Sequence, residues 1–433
     1  MTLALTTNPY AGYTYGYPHK TAYRRLDPPA ELAPLWATED RSNLFGYVHL
    51  PFCEMRCGFC NLFTTANPHD DLVGRYLEAL EREARATAEI IHPATPARYA
   101  IGGGTPTYLP PAELARLLEV FPRVFGRAVA EVPTSIETSP ATATPERTTL
   151  LADAGVRRIS IGIQSMDLAE VHRIGRRQRD DEVRGALDTL RTLGPPVLNI
   201  DLMYGLPDQT PDTWLATLRE ALRWHPEEVF AYPLYVRPLT GLDHVGASPT
   251  DMRPELYRLG RDLLLAEGYE QTSMRRFRRR GIEEVDDEYA CQSDGMVGLG
   301  CGARSYTREL HYSREYAVGR RGVKAIIDDY VNLTDADLRV ARHGFRLDAD
   351  ERMRRFVLQS LLHIDGLDVE ACRATTGADP ETLPLDRLVA DGLATRTAGR
   401  VQLTPDGLAL SDAIGPMLYS ARVTDLSRDH DLR

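Results

Sequence analysis

Lysine is nearly missing from this chain: of 51 basic residues only Lys20 and Lys324 are lysines. Chemistry built on a lysine imine or a phosphate-loop lysine therefore has almost no candidates. The remaining basic residues are arginines, a skew that reads as codon bias and indicates no function by itself. No apolar run approaches the roughly 18 residues needed to cross a bilayer. The N-terminus, Met1-Thr-Leu-Ala-Leu-Thr-Thr, lacks the basic start and cleavage site of a secretory signal. A cytoplasmic protein with no membrane partner is the expectation. Positive charge is not in excess either, since 62 acidic residues bring the net charge to −11, which leaves no electrostatic footprint for nucleic acid. Cysteine is scarce at six residues. Three of the six are clustered, which fits metal binding in a reducing compartment better than a disulfide framework.

What is present is an ordinary globular composition, 43% hydrophobic and 26% charged over 433 residues, long enough for one large domain with additions. From Gly46 to Val236, short β-branched or aromatic runs alternate with stretches of helical period, the pattern of strand-helix units around a parallel sheet. The expected strands are Tyr47–Leu50, Arg98–Ile101, Thr134–Glu137, Arg158–Ile163, Val197–Met203 and Val229–Tyr235. After Asp70 and Asp71, which suit a helix start, Leu72, Val73, Tyr76, Leu77 and Leu80 recur at helical spacing. The fold class is thus α/β, a partial six-unit barrel of the TIM type that need not close. Residues 1–45 form an N-terminal extension, rich in tyrosine and proline, that wraps the barrel or covers its mouth. Residues 46–340 form the barrel, and its later part, around Gly268, Gly298, Gly300 and Gly302, is expected to close over a substrate. Residues 341–433 read as helices followed by a hairpin across Ala398-Gly399, a winged-helix-like module. With 11 arginines against 15 acidic residues from Arg346 onward, this module has no basic face for duplex binding.

The most informative segment is Tyr47-Val-His-Leu-Pro-Phe-Cys53-Glu-Met-Arg-Cys57-Gly-Phe-Cys60, three thiols within eight residues after a short apolar run. Three thiolates can bind three irons of a four-iron cluster and leave the fourth iron open to the amino and carboxylate groups of a small molecule. Structural zinc is the alternative, but it wants four closed ligands, and no fourth Cys or His lies between Cys53 and Cys60. A second element, Ile101-Gly-Gly-Gly-Thr-Pro-Thr107, follows the second strand. Its glycines allow positive φ and close backbone approach to a ligand. It has neither the lysine of a phosphate loop nor the spacing of a dinucleotide fingerprint. Polar residues recur at or near the ends of later strands, namely Glu137, Gln164, Arg176 and Asp201, which argues for one shared ligand at that end of the barrel.

With these motifs in view, the chain resembles the radical S-adenosylmethionine (SAM) superfamily, and within it the oxygen-independent coproporphyrinogen III oxidase group. The resemblance runs from Tyr47 to about Pro211 through the cysteine motif, Gly102-Gly-Gly-Thr-Pro-Thr, Gly162-Ile-Gln-Ser and Asp201-Leu-Met-Tyr-Gly-Leu-Pro-Asp-Gln-Thr-Pro. It implies a 4Fe-4S cluster on Cys53, Cys57 and Cys60 with SAM on the open iron. It further implies Gly103 and Gly104 at the SAM amino group with Thr105 beside them, Arg176 and Glu137 at the charged methionine part, and Gln164 and Asp201 on the ribose side. Phe59 would lie near the adenine, and Tyr47 beside SAM and the cluster in a catalytic position. A small-molecule substrate and a reductant such as flavodoxin or ferredoxin complete the implied set.

Two departures narrow this reading. The porphyrinogen enzymes carry a further cysteine two positions after the third cluster ligand, where this chain has Leu62. The haem chaperones of the group show a His-Asn-x-x-Tyr-Trp motif, where the comparable region reads Asp287-Glu-Tyr289-Ala-Cys-Gln. Two other segments, Tyr235–Gly241 and Gly268–Phe277, look like the branch of C-methylases and cyclopropane-forming enzymes, which implies a second SAM and one-carbon transfer, with a partner methyltransferase as a further option. Porphyrinogen decarboxylation and haem delivery stand as alternatives. Cys291 and Cys301 are either small core residues or catalytic groups near the substrate cavity.

Overall fold

Six parallel strands carry the fold, each grown from one of the apolar runs. In the computed structural model, which describes residues 2–14, 16–282 and 295–430, they span Leu44–Leu50, Pro96–Gly103, Thr134–Thr138, Arg158–Gln164, Val197–Tyr204 and Glu228–Pro233. Each pairs in parallel with the next in chain order, with helical connections returning the chain to the same end of the sheet. Alternate side chains then serve different faces. Val48, Leu50, Tyr99, Ile101, Ile161, Ile200 and Leu202 join the main core beneath the outer helices. Phe45, Tyr47 and Ala100 face the barrel interior. The long helix Asp70–Ile91 buries Val73, Tyr76, Leu77, Leu80 and Ala84 against this sheet, as its period predicts.

The sheet does not close. Beyond the first barrel strand it continues through Met296–Leu299 in parallel and then Arg304–Tyr306, Leu310–Ser313, Val340–Arg346 and Arg24–Glu31 in antiparallel order. Beyond the sixth it adds Arg276–Arg279 and Tyr269–Gln271, for 13 strands among the described residues. The glycine-rich region expected to close over a substrate therefore lies, where described, within this sheet. Gly302 has φ of 104°, and a Cβ there would meet the His49 ring at 2.6 Å, so glycine lets two strand ends pack together. The strand Arg24–Glu31 contains Pro28 and Pro29 and pairs on one side only, the position in a sheet that prolines tolerate. Its partner Val340–Arg346 crosses the line between residues 340 and 341 at which the barrel and the C-terminal module were divided.

After that strand come helices Ala349–Leu361, Val369–Thr376 and Leu385–Ala390, then a hairpin of Ala394–Thr397 with Arg400–Leu403 and the helix Pro405–Ala409. Ala398 and Gly399 both have positive φ, 48° and 80°, as a tight two-residue hairpin turn requires. Met353, Leu358, Leu385, Leu388, Val401 and Ile414 form a separate core here, joined by Leu5, Tyr17 and Tyr23 from the other end of the chain.

The N-terminal extension does more than wrap the surface. The Gly12 amide donates to the Asp412 carbonyl at 2.9 Å, Thr14 and Tyr419 hydroxyls lie 2.9 Å apart, and Tyr17 donates to Glu351. Tyr10 packs edge-on against Tyr204 and Tyr235. At the centre of this joint Arg275, 7% exposed, pairs with Asp412, 1% exposed, which also accepts from Tyr235. Removing one member of a buried ion pair strands the other charge. Asp412→Ala should therefore lower stability by about 3–5 kcal/mol, read as a drop in the urea midpoint. A loss within about 0.5 kcal/mol, the range of ordinary surface substitutions, would show that the pair does not hold the joint.

Candidate active site

The cysteine loop leaves the C-terminal end of the first barrel strand and is fastened on both sides by backbone. Phe52–Cys53 pairs with Thr65–Ala66 as a short parallel ladder. Gly58 donates its amide to the Ile174 carbonyl at 2.9 Å and accepts at its own carbonyl from the Leu242 amide at 2.8 Å. No side chain fits at this contact: a Cβ on Gly58 would lie 2.8 Å from the Ile174 oxygen, and one on Gly241 would lie 3.0 Å from the Gly58 Cα. Cys53 is buried, while Cys57 and Cys60 are half-buried. Burial pushes the Cys53 thiol up, as do Cys60, Glu54 and Cys57 nearby, against a hydrogen bond with Thr105. Burial likewise raises Cys57, opposed by Arg176, whose Nη1 donates to its sulfur at 3.4 Å.

The glycine run is held against the base of this loop. A Cβ on Gly103, at φ 112°, would meet the His49 ring at 2.5 Å, and one on Gly104 the Phe52 carbonyl oxygen at 2.3 Å. Gly104 donates to Leu50 at 2.7 Å and Thr105 to Phe52 at 2.8 Å, while the Gly103 amide donates to Glu137 Oε2 at 3.1 Å. These three amides are all engaged internally, so the run can offer a ligand carbonyl acceptors but not the N–H donors that a phosphate needs. Beneath it Thr107, Thr138, Thr142 and Ser139 form a buried hydroxyl chain, and Ser139 donates to Glu54 at 2.7 Å. The second carboxylate oxygen of Glu54 is buried and has no partner among the described residues, an acceptor left over beside the loop.

The strand ends supply two carboxyls to the interior. Burial, with Asp201 as the next cause, pushes the Glu137 pKa up to about 7. Asp201 is also raised by burial, although Asn199 and Ser160 donate to it at 2.8 and 2.9 Å. Gln164 sits at a register shift with φ of 72°. A bulge with a non-glycine residue in the left-handed region is a strained conformation that turns the side chain away from the ladder. Arg176 is fixed by donating to Gln178 at 2.8 Å and to the Gly162 carbonyl. Phe59 packs on a small apolar cluster of Ile174, Met203, Leu206, Leu234 and Leu242 next to the loop.

Of the residues singled out as catalytic, Tyr47 faces the interior with its hydroxyl 3.3 Å from His49 Nδ1. His49 was not picked out from sequence, though its place two residues after Tyr47 puts it on the same strand face. Its Nε2 lies 2.9 Å from the Phe63 carbonyl, and burial lowers its pKa to about 4. Tyr232 was also missed. It lies in the interior within the influence of Asp201, Tyr13 and Glu137, with Tyr13 edge-on at 6.3 Å. Cys301, by contrast, is fully buried in the helix-side core, where Tyr76, Glu83 and Arg314 surround it. Burial among these helix-side groups accounts for Cys301 as a core residue, the first of its two readings. Cys291 and the Asp287–Gln292 stretch lie outside the described residues. The two segments read as methylase-like are used in packing: Tyr235 and Arg275 bind Asp412, and Met274 is a core residue.

Does this donor set suit a cluster? Among the described residues no group of three or more His, Cys, Asp or Glu side chains is placed to hold a single metal ion. Three separately backed thiols that act on one another electrostatically suit a larger group with one thiolate per iron.

The comparisons with known proteins agree with this geometry. Residues 47–221 match the family model described as the radical SAM superfamily, and residues 347–410 match that of the HemN C-terminal domain. The oxygen-independent coproporphyrinogen III oxidase of Pseudomonas aeruginosa is 29% identical over 412 residues, covering 88% of this chain and 86% of that protein. The heme chaperone HemW of Escherichia coli is 32% identical over 267 residues, covering 59% of this chain and 68% of its own length. The solved structure of coproporphyrinogen III oxidase (HemN) from Escherichia coli superposes with a TM-score of 0.81 at 23% identity, covering 96% of this chain and 98% of that one. It shares the fold. None of these three relatives is a methylase, and the expectation of a methylating branch gains nothing from them.

Two predictions follow from the site. Gly58→Ala should cut iron and sulfide incorporation to the level of a Cys53→Ala/Cys57→Ala/Cys60→Ala variant, whereas Cys372→Ala should load normally. Full loading of Gly58→Ala would show that the backbone clamp is dispensable. The second concerns Glu137. A carboxyl whose folded pKa is raised from 4.5 to about 7 holds its proton more tightly in the folded state, so its contribution is complete below about 4.5 and is lost as pH rises through about 7. Melting of the metal-free protein between those pH values should fall less for Glu137→Gln than for the parent. Parallel curves would refute the shift.

Proposed function

This chain belongs to the radical SAM superfamily, in the group of oxygen-independent coproporphyrinogen III oxidases and haem chaperones, and from that premise we propose that it oxidises a carboxylate-bearing small molecule by removing one hydrogen atom. The substrate radical then loses carbon dioxide and passes one electron to an external one-electron acceptor. Cys53, Cys57 and Cys60 would hold the 4Fe-4S cluster. When bound, the cluster and SAM supply one electron and a 5′-deoxyadenosyl radical able to take that hydrogen. Arg176 would meet the SAM carboxylate. The free oxygen of Glu54, Glu137 and the carbonyls of the glycine run would meet its amino group, and Asp201 and Gln164 its ribose. Phe59 and its apolar cluster would hold the adenine. Tyr47 and His49 wall the interior between this position and the substrate, where a fixed near-attack geometry decides which hydrogen is taken.

The observation that carries the substrate class is a group of cations around His19 and His49. Lys20, Arg304 and Arg237 all act on His19, and Lys20 and Arg304 also act on His49. Lys20 Nζ lies 3.5 Å over the Tyr316 ring, and that tyrosine donates to the Asn61 carbonyl in the cluster loop at 2.6 Å. In a chain of net charge −11, three cations gathered there favour an anionic substrate. Coverage favours an oxidase over a chaperone, because the oxidase relative matches both the barrel and the C-terminal module, whereas the chaperone matches 59% of the chain.

Leu62, standing where the porphyrinogen enzymes have a cysteine, favours a second reading, one-carbon transfer with a second SAM. The two readings part on products. Reduced, reconstituted enzyme incubated with SAM and coproporphyrinogen III as the first probe should release 5′-deoxyadenosine and carbon dioxide in step, without S-adenosylhomocysteine. S-adenosylhomocysteine in matching amount would replace oxidation with one-carbon transfer. Absence of 5′-deoxyadenosine under all reducing conditions would end both.

A further inference from the structure

Gln164 sits at the centre of a tight three-residue turn. The Ser165 amide donates to the Ile163 carbonyl at 3.0 Å, and Gln164 between them has φ of 72°, a left-handed conformation that residues with a side chain rarely adopt. Such strain persists only where the surroundings fix it from several sides. Here they do. Ser165 donates its hydroxyl to Glu170 at 2.6 Å, and the buried Glu170 carboxylate also accepts from Thr213 at 2.6 Å and from Gln209 at 3.0 Å. On the other side stands Gln178, 5% exposed. Its Nε2 donates to both carbonyls that flank Gln164, to Ile163 at 3.2 Å and to Ser165 at 3.1 Å.

The other end of the same amide fixes Arg176. Residues 176–179 join the helices Leu168–Arg173 and Asp180–Leu193, and along them Arg176 and Gln178 are buried while Arg177 and Arg179 are exposed, the alternation of an extended segment. Gln178 Oε1 accepts from Arg176 Nε at 2.8 Å, and the Gly162 carbonyl accepts from Nη2. With these two nitrogens held, the guanidinium plane is set, and Nη1 is the nitrogen that reaches the Cys57 sulfur, at 3.4 Å. A flipped Gln178 amide would turn N–H toward Arg176 N–H and oxygen toward two carbonyls, so only one orientation satisfies the group. Gly162 brings the two halves together, since a Cβ on it would lie 3.1 Å from the Gln164 side-chain nitrogen.

We infer that Gln178 is a positioning residue of the SAM site, a single buried amide that orients Arg176 through its oxygen and Gln164 through its nitrogen. The inference rests on the roles proposed above for those two residues. Arg176 and Gln164 serve opposite parts of the ligand, its carboxylate and its ribose. One planar amide facing both fixes their separation, because its oxygen and nitrogen cannot turn independently. Binding at the two ends is thereby coupled.

SAM binding to the oxidised, cluster-loaded protein, where no cleavage occurs, reads this coupling by isothermal titration at about pH 8, at which a carboxyl beside Arg176 is ionised. Gln178→Met removes donor and acceptor alike and should weaken SAM binding about tenfold or more, as expected for lost hydrogen bonds to a charged group. In that background Arg176→Ala should weaken binding by less than about threefold further, although alone it weakens the parent about tenfold or more, as coupled residues require. Gln178→Glu keeps the acceptor and loses the donor. In it Arg176→Ala should keep its full effect while the effect of Gln164→Ala shrinks, and this arm decides the question by itself should Gln178→Met fail to fold. Affinities of both Gln178 variants within about twofold of the parent overturn the inference and leave the functional reading intact. So do effects of Arg176→Ala and of Gln164→Ala that are the same in every Gln178 background as in the parent. Failure of the loaded parent to bind SAM overturns the functional reading and the inference with it.

Discussion

Everything at the working end depends on one backbone contact, the paired hydrogen bonds of Gly58 with Ile174 and Leu242. A three-thiol loop eight residues long has little regular structure of its own, and its thiols can serve one group only if the turn between them is fixed. Side-chain contacts would leave rotamer freedom; two backbone hydrogen bonds at 2.9 and 2.8 Å do not. The same contact ties the loop to the turn ahead of Arg176, which reaches the Cys57 sulfur. Thiol position and ligand-facing charge are thereby set together.

The parallel sheet does the rest. Because each strand runs the same way, the ends of Leu44–Leu50, Pro96–Gly103, Thr134–Thr138, Arg158–Gln164 and Val197–Tyr204 all open on one side, and polar groups at those ends must meet. Glu137 and Asp201, far apart in sequence, influence each other in the interior for this reason. The carboxyls are buried and near one another. Their meeting is a consequence of topology.

Sequence reading captured the elements with clean periodicity and lost those without. All six barrel strands were legible because β-branched runs alternate with amphipathic helices, and the hairpin at Ala398-Gly399 was legible from its turn residues. The strand Arg24–Glu31 was not, because Pro28 and Pro29 mask an edge strand whose pairing partner lies more than 300 residues away. At the site, clustered cysteines and glycines announce themselves by spacing. Tyr232 and His49 do not, since nothing local distinguishes them from ordinary strand residues; only the face they share with Asp201 or Tyr47 does. Cys301 stayed open between a core and a catalytic reading because a lone cysteine in a glycine-rich stretch carries no periodicity, and its burial beside Tyr76 fits the core reading.

The tyrosine-bearing arm at the beginning of the chain has its anchors near the other end: Thr14 meets Tyr419 across 405 positions, and the amide of Ser420 reaches Tyr17 across 403. Closing such loops is slow and comes late. During synthesis, the arm must wait, undocked, until Asp412, Tyr419 and Ser420 have been made. The six barrel strands, the last ending at Pro233, are made before then, so Tyr204, Tyr232 and Tyr235, against which the arm packs, stay uncovered by it until those later residues follow.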